Sequence, residues 1–434
     1  MPHPAGALRT TRKIRLKQVR FSGTPGHSVF FLCQLPAWLF LPLSRRKIPF
    51  KKQEIKRALG NEKFGREGGR VPVFPSLVPA NRHPALPDGE IGGMRTGGFS
   101  TIKAKGREGR MANQEWVRRL KESLRLPLFV APMFLISNPA MVLTACEAGV
   151  IGSFPALNAR TGDILEEWLK EIKGQWDEWK RKNRKEPAPW AVNLICHRSN
   201  ARYGEDLKRI EKYQPPIVIT SLGDPGPVAK IVHGYGGVVF SDVINVKFAK
   251  KAIEKGTDGL ILVAGGAGGH GGTYNPFAFL HEVREFWDGP VVLAGGMARG
   301  EDILAAEVLG ADFVYMGSRF IPSEESAADE EYKQMVLDAS IEDILYTDAF
   351  SGVHANFLIP SIVKAGLDPA DLQGKGKVDF SEMNGPKRKA WKDIWSAGHG
   401  VGAVKKRQSV AEIVAELEAQ YRAAKRKIAN GHGE

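Results

Sequence analysis

One histidine stands among six glycines in the stretch AGGAGGHGGT, residues 264–273. Glycine lets a backbone turn sharply and approach a flat ligand closely. An imidazole exposed at such a place is expected to titrate near neutral pH, which suits proton transfer. His270 is therefore the candidate catalytic residue, against the plainer reading of a glycine loop with an incidental histidine. Two further glycine turns suggest anion binding: Gly295-Gly296, followed by Met297 and a helix expected to open at Gly300-Glu301-Asp302, and Gly317-Ser318-Arg319. Backbone N–H groups at such turns and at helix N-termini cradle phosphates, and Ser318 adds a hydroxyl donor. A phosphate beside a flat ring points to FMN or to a sugar phosphate. Among the other histidines, His197 and His354 could reach such a site, whereas His233, His281 and His399 read as surface or helix residues. No pair has a spacing such as H-E-x-x-H, so no metal is expected.

These residues need elements to place them. From Leu126 onward, short apolar runs alternate with amphipathic stretches, the pattern of βα units and a parallel sheet. The expected strands are Leu128–Ala131, Val150–Ser153, Trp190–Leu194, Ile217–Thr220, Gly237–Ser241, Gly259–Val263, Pro290–Ala294 and Phe313–Met316. Helices are expected between them, including Pro139–Ala148, Asp163–Gly174, Val246–Lys255 and Gly300–Leu309. The phrases Lys255-Gly256-Thr257-Asp258-Gly259 and Leu309-Gly310-Ala311-Asp312-Phe313 each end a helix on a glycine suited to the left-handed cap. Eight strands match an α/β protein of the (β/α)8 TIM-barrel class, whose active sites lie at the C-terminal ends of the strands. A doubly wound sheet is the alternative, but it calls for G-x-G-x-x-G after the first strand, where this chain has APMF. The barrel is assigned to residues 111–340. A C-terminal extension, 341–434, is expected to be mostly helical and to pack on the barrel, after a helix at Glu324–Ala339 and with a last one at Ser409–Lys427 packing with charged faces to solvent.

The charge balance locates a separate leader. Residues 1–110 hold 22 Lys and Arg against 6 Asp and Glu, which leaves 40 basic and 42 acidic residues for the remainder. The formal net charge of +14 therefore belongs to the leader, and the main body offers no nucleic-acid surface. The leader lacks periodicity and is expected to be disordered. Its apolar run, residues 29–43, carries Pro36 and Pro42 and is shorter than the ~20 residues that span a bilayer. No membrane association is expected. An alternative is that translation begins at Met111, where MANQEWVRRLKESL reads as a first amphipathic helix. Cys33, Cys146 and Cys196 follow no redox or metal spacing and suit a reducing, cytoplasmic setting. Cys146 and Cys196 read as buried small hydrophobes.

The combined series AGGAGGHGGTYNPF, VVLAGGMARGEDILAAEVLGADF and VYMGSRFIPSEES resembles the nitronate monooxygenase family, formerly called 2-nitropropane dioxygenases. The Ala131-Pro132-Met133 turn, the Asn193 strand and Ser241-Asp242-Val243 also look like that family. The resemblance spans roughly residues 120–370. It implies an FMN-binding barrel in which Ala131 and Met133 line the flavin ring, and Asn193 and Asp242 contact ring or ribityl atoms. Gly268 would allow close approach, Gly295, Gly296, Gly317 and Ser318 would hold the phosphate, and His270 falls on the catalytic histidine. Met133, Phe134 and Tyr274 would exclude water. The implied reaction is oxidation of alkyl nitronates with dioxygen to a carbonyl compound and nitrite. FMN-dependent NAD(P)H reductases of quinones or enoyl thioesters look similar and are the alternative enzyme reading. A flavin-binding accessory protein docking through its basic leader is a third reading. A homodimer is compatible with each.

Overall fold

Alternation along the short apolar runs decides the architecture, because neighbouring side chains on a strand face opposite sides. The computed structural model describes residues 106–183, 186–350, 352–374 and 393–431. The leader up to residue 105, with the apolar run 29–43, lies outside the described residues. The parallel strands are β1 (Leu128–Val130), β2 (Gly152–Pro155), β3 (Trp190–Ile195), β4 (Ile217–Ser221), β5 (Val238–Val243) and β6 (Gly259–Val263). A two-residue strand β7 (Gly269–His270) precedes β8 (Val291–Ala294) and β9 (Phe313–Met316), and β10 (Ile344–Thr347) and β11 (Ala355–Leu358) follow. The eight-stranded sheet runs β1-β9-β8-β6-β5-β4-β3-β2, and the parallel bridge Phe129–Ile151 closes it between β1 and β2. This is the expected TIM barrel.

Around it lie α1 (Gly106–Ser123), α2 (Pro139–Glu147), α3 (Gly162–Asn183), α4 (Tyr203–Tyr213), α5 (Gly226–Gly234) and α6 (Val246–Glu254). Next come α7 (Pro276–Arg284), α8 (Gly300–Val308), α9 (Glu330–Asp338), α10 (Ile359–Lys364) and α11 (Val410–Ala429). None of the described helices is long and apolar enough to cross a membrane. α1 begins at Gly106, ahead of Met111, and its Trp116 packs 6.1 Å from Phe240 inside the barrel. Gly256 and Gly310 take positive φ, 89° and 101°, at the helix ends where the sequence placed left-handed caps.

The barrel interior is layered. Phe129, Ala191, Phe240, Ile261, Val292 and Phe313 are completely buried. Two residues further along the same strands stand Ala131, Asn193, Asp242, Val263, Ala294 and Tyr315, and all six line one cavity. The lower layer is an aromatic floor in which Phe129 meets Phe240 and Phe313 edge-on, with centroids 5.5 and 5.6 Å apart. Gly259 is required beside this floor, since a Cβ there would lie 2.2 Å from the Phe240 ring.

Three expectations change. β2 is shifted two residues from Val150–Ser153, because Gly152–Pro155 is the stretch that pairs with β3, whereas Ile151 makes only the bridge to Phe129. α9 starts at Glu330 rather than Glu324, because Glu324 N–H donates to Gln408 and Ala327 N–H to Ile136, which ties the segment to other loops. α11, by contrast, packs as expected, with its charged face outward. Val410, Ile413, Val414 and Leu417 are fully buried against α8 and α2. The extension also contributes strands: β10, β11 and β7 form an antiparallel sheet with Ala355 opposite His270 and Asn356 opposite Gly269.

Candidate active site

The β6–α7 loop is held by two sides of the molecule. Its own glycines supply the turns: Gly266 and Gly269 have φ of 85° and 67°. β11 then pairs with it, Asn356 donates through Nδ2 to the Ala267 carbonyl at 2.6 Å, and the Tyr346 hydroxyl donates to the Gly271 carbonyl at 2.8 Å. His270 is thereby fixed on the wall of a cavity of about 1100 Å³ at the C-terminal ends of the barrel strands. Ala131, Met133, Asn193, Asp242, Gly268, Gly295, Gly296, Gly317 and Ser318 line the same cavity. His270 and the nine residues expected to bind the cofactor are thus brought to one place.

The glycines make one wall. A Cβ on Gly268 would meet the Gly398 nitrogen at 2.9 Å, and one on Gly295 the Gly265 carbonyl at 2.7 Å. Facing them, the stretch 394–400 crosses the loops: His399 N–H donates to the Gly266 carbonyl and Gly398 N–H to Ser318 Oγ, at 2.9 and 2.8 Å. Trp395 of this stretch stacks on Tyr332 at 4.9 Å, and the Tyr332 hydroxyl donates to the Ser396 carbonyl at 2.5 Å. All three line the cavity, and sequence reasoning missed them because neither α9 nor the extension carries a motif. The helix opening at Gly300 does not serve as an anion cradle. Ala298 and Arg299 N–H donate to Asp302, and Gly300 N–H donates to Gln420 of α11. The turn that starts at Gly317-Ser318 remains at the cavity.

The floor is polar at one point. Asn193 Nδ2 donates to Ser221 Oγ at 2.6 Å, and Ser221 Oγ donates to Asp242 Oδ2 at 2.5 Å, linking the ends of β3, β4 and β5. Burial pushes the Asp242 carboxyl up to about 7. Burial, followed by the Asp242 charge, raises the Tyr315 hydroxyl well above its ordinary range. For His270 burial works in the other direction and lowers the imidazole to about 4. The expectation that it titrates near neutral pH is therefore corrected: surrounding protein, not open solvent, sets its protonation.

The remaining side chains separate. His197 lines the mouth with Nδ1 2.8 Å from Ser199 Oγ, and Arg160 lies over the Phe134 ring at 5.7 Å. Tyr274 does not exclude water from the site; it is 49% exposed and packs outside the cavity on Phe279. His354 is exposed and stacks on Tyr346, and His399 is exposed. His233 bonds Asp258, two residues ahead of the buried Leu260 on the strand's other end, at 2.7 Å. Cys146 is buried and Cys196 half-buried, and burial raises both thiols to about 12, as small hydrophobes rather than nucleophiles.

Comparison with known proteins follows the same line. The family model for nitronate monooxygenase matches residues 117–420. The chain belongs to the nitronate monooxygenase family. It is accordingly an oxidoreductase. A nitronate monooxygenase from Paraburkholderia phytofirmans is 26% identical over 348 residues, covering 68% of this chain and 92% of that protein. Among solved structures, a nitroalkane oxidase from Streptomyces ansochromogenes aligns with a TM-score of 0.60 at 23% identity, covering 71% of this chain and 99% of that one. FabK from Thermotoga maritima aligns at 0.59 and 24% identity, covering 73% and 98%. At these identities the two structures support the barrel fold alone.

Proposed function

We propose that the cavity binds FMN and that the enzyme oxidises alkyl nitronates with dioxygen, giving a carbonyl compound and nitrite. The observation that carries this reading is the convergence of His270 and the glycine wall on one cavity, in a chain of the nitronate monooxygenase family. The residues present fit such a cofactor. A Cβ on Gly317 would project toward Met133 and Ala131 at 3.5 and 3.6 Å, so its absence widens the wall where a flat ring would lie. The buried atoms Asp242 Oδ1 and Tyr315 Oη have no hydrogen-bond partner among the described residues, which leaves polar capacity at the floor. Ala131, Met133, Gly268 and Gly317 would border the ring, Asn193 and Asp242 its polar atoms, and Gly295, Gly296 and Ser318 the phosphate. FMN, when bound, supplies the redox chemistry, and the protein supplies position and electrostatics.

His270 is neutral at pH 7, because burial holds it near 4. A nitronate is already deprotonated at carbon and needs no base. A neutral nitroalkane needs one, and so depressed an imidazole removes carbon-bound protons weakly. The site therefore favours the preformed nitronate, with His270 placed to hydrogen-bond its nitro group and Met133 and Phe134 shielding it from water. Replacing His270 by Asn should leave FMN affinity within about twofold and lower kcat/KM for the nitronate about 10²-fold or more. Unchanged turnover would refute the assignment.

A second reading keeps the cofactor and changes the donor: an NAD(P)H oxidoreductase acting on a quinone or an enoyl thioester. Arg160 and Lys251 at the cavity edge favour it, since cations suit the phosphates of such molecules. Anaerobic mixing with a nitronate and, separately, with NADH or NADPH decides between them by which one bleaches the bound flavin.

A further inference from the structure

Among the described residues, three other than glycine take positive φ: Leu135 at 68°, Gln214 at 53° and Leu222 at 60°. Gln214 is the cap that ends α4, a common place for left-handed backbone. The two leucines end no helix. Leu135 follows β1, Leu222 follows β4, and both are partly exposed residues lining the cavity. A branched side chain is strained in this conformation, whereas glycine or asparagine takes it readily.

The surroundings fix the backbone at both places. Leu135 N–H donates to Asn158 Oδ1 at 2.9 Å, and beside Leu222 the chain passes so close to β3 that a Cβ on Gly223 would lie 2.4 Å from the Cys196 carbonyl oxygen. That accounts for the turns but not for the leucines, whose side chains add only apolar surface. Strain retained in this way gathers at ligand clamps. The neighbours continue the same surface: Phe134 and Val353 line the cavity with Leu135, and Ile244 and Phe248 line it with Leu222. None of these six belongs to the glycine wall or the polar floor. At about 1100 Å³ the cavity also exceeds the ~300–1,000 Å³ usual for a single small ligand. It has room for more than a cofactor and a two-carbon nitronate.

We propose that Leu135 and Leu222 are specificity-determining residues, whose side chains receive an alkyl tail of several carbons on the substrate. This assignment rests on the nitronate reading of the site. A short nitronate would leave both leucines facing water. Each methylene that a longer one carries onto this surface strengthens binding about three- to fourfold.

Asparagine at either position keeps the left-handed turn and removes the apolar surface. The FMN-loaded full chain, as wild type, Leu135→Asn and Leu222→Asn, is assayed for kcat/KM on straight-chain nitronates of two to eight carbons. Calorimetry gives Kd for carboxylates of the same lengths, which carry a similar planar anion and are not oxidised. Thermal midpoints are recorded alongside. In wild type, kcat/KM for the eight-carbon nitronate should exceed that for the two-carbon one about 10²-fold or more, with Kd falling in parallel. Each variant should lower that ratio about tenfold without lowering the midpoint, since the strain is relieved. A wild-type ratio near one, or a ratio unchanged in both variants, overturns the assignment and leaves the function reading standing. A midpoint lowered by several degrees overturns it too, because the leucines would then be holding the fold. If nitronates are not oxidised but the chain-length trend in Kd is present and lost in the variants, the tail site stands and the reaction reading falls. With neither turnover nor a trend, both fall.

Discussion

At the scale of single residues, the site is governed by what burial does to two groups. His270 is driven toward the neutral form, and so is Asp242, which a carboxyl reaches by keeping its proton. The consequence for stability has a definite sign. Below the ordinary carboxyl value of 3.8, Asp242 is protonated in both the folded and unfolded states. Between 3.8 and about 7 only the unfolded chain ionises, so stability falls as pH rises through that window. Above it the cost is complete, on the order of 2–4 kcal/mol for a half-buried group. FMN-free Asp242→Asn should therefore match the wild type in urea near pH 4 and exceed it at pH 8. Parallel urea midpoints across that range would show that the carboxyl is solvated after all. The glycine turns and a lone histidine drew attention to His270, Gly268, Gly295, Gly296, Gly317 and Ser318, whereas Ala131, Met133, Asn193 and Asp242 were implied only by the family resemblance. Tyr315 and Ser221 were not singled out, although the period of two along FVYM and IVITS already points both toward the cavity. The pKa of His270 was not legible at all, since its pairing with β11 depends on chain more than eighty residues away.

Elements place those residues, and the β1–α2 loop shows how tightly. Leu135 has φ of 68°, a left-handed conformation that costs a branched residue about 1–2 kcal/mol. Asn158, just after β2, sustains it: its Oδ1 accepts from Leu135 N–H at 2.9 Å, and its Nδ2 donates to the Met133 and Ser137 carbonyls at 2.9 and 2.7 Å. Ser137 Oγ in turn accepts from Met133 N–H. Met133, Phe134, Leu135 and Ile136 all line the cavity, so this clamp sets one wall. Asn158→Ala should cost about 2–4 kcal/mol, by leaving buried backbone groups unpaired, and should also weaken FMN binding. Leu135→Gly relieves the strain, so adding it should restore part of both losses. Urea midpoints and FMN titrations of the two single variants and the double variant check this; an Asn158→Ala protein as stable as wild type would leave Leu135 unexplained. The barrel strands were legible because each is a local apolar run closed by glycine. The sheet of β7, β10 and β11 was not, because its β7–β11 pairing joins two short segments more than eighty residues apart and neither alternates long enough to declare itself.

For the molecule as a whole, the barrel and its C-terminal extension act as one folding unit. β11 pins the His270 loop, and α11 packs on α8 and α2. Arg319, one residue beyond Ser318, is almost fully buried and reaches Gln408 at 3.0 Å and Glu416 at 3.4 Å. Gln420 caps the start of α8, and Gly300 is needed there because a Cβ would lie 2.2 Å from the Leu417 carbonyl. Ser409 and Glu412 form a capping box at the start of α11, while both Glu325 carboxylate oxygens accept from Val410 N–H. Val410, Ile413, Val414 and Leu417 are buried completely on the inner face. Their transfer from water contributes about 6–12 kcal/mol as an upper estimate. That is comparable with the whole stability of a typical domain, about 5–15 kcal/mol. Deleting residues 409–434 should therefore yield a protein without a cooperative thermal transition and without FMN binding, because Arg319 and the α8 cap lose their partners together with the apolar face. Deleting only 427–434, beyond the buried positions, should shift the midpoint by no more than about 2–3 °C, as for other exposed helix ends. Circular dichroism melts and flavin content after purification measure both, and a cooperative, FMN-loaded barrel lacking 409–434 would show that α11 is a packing ornament rather than part of the fold.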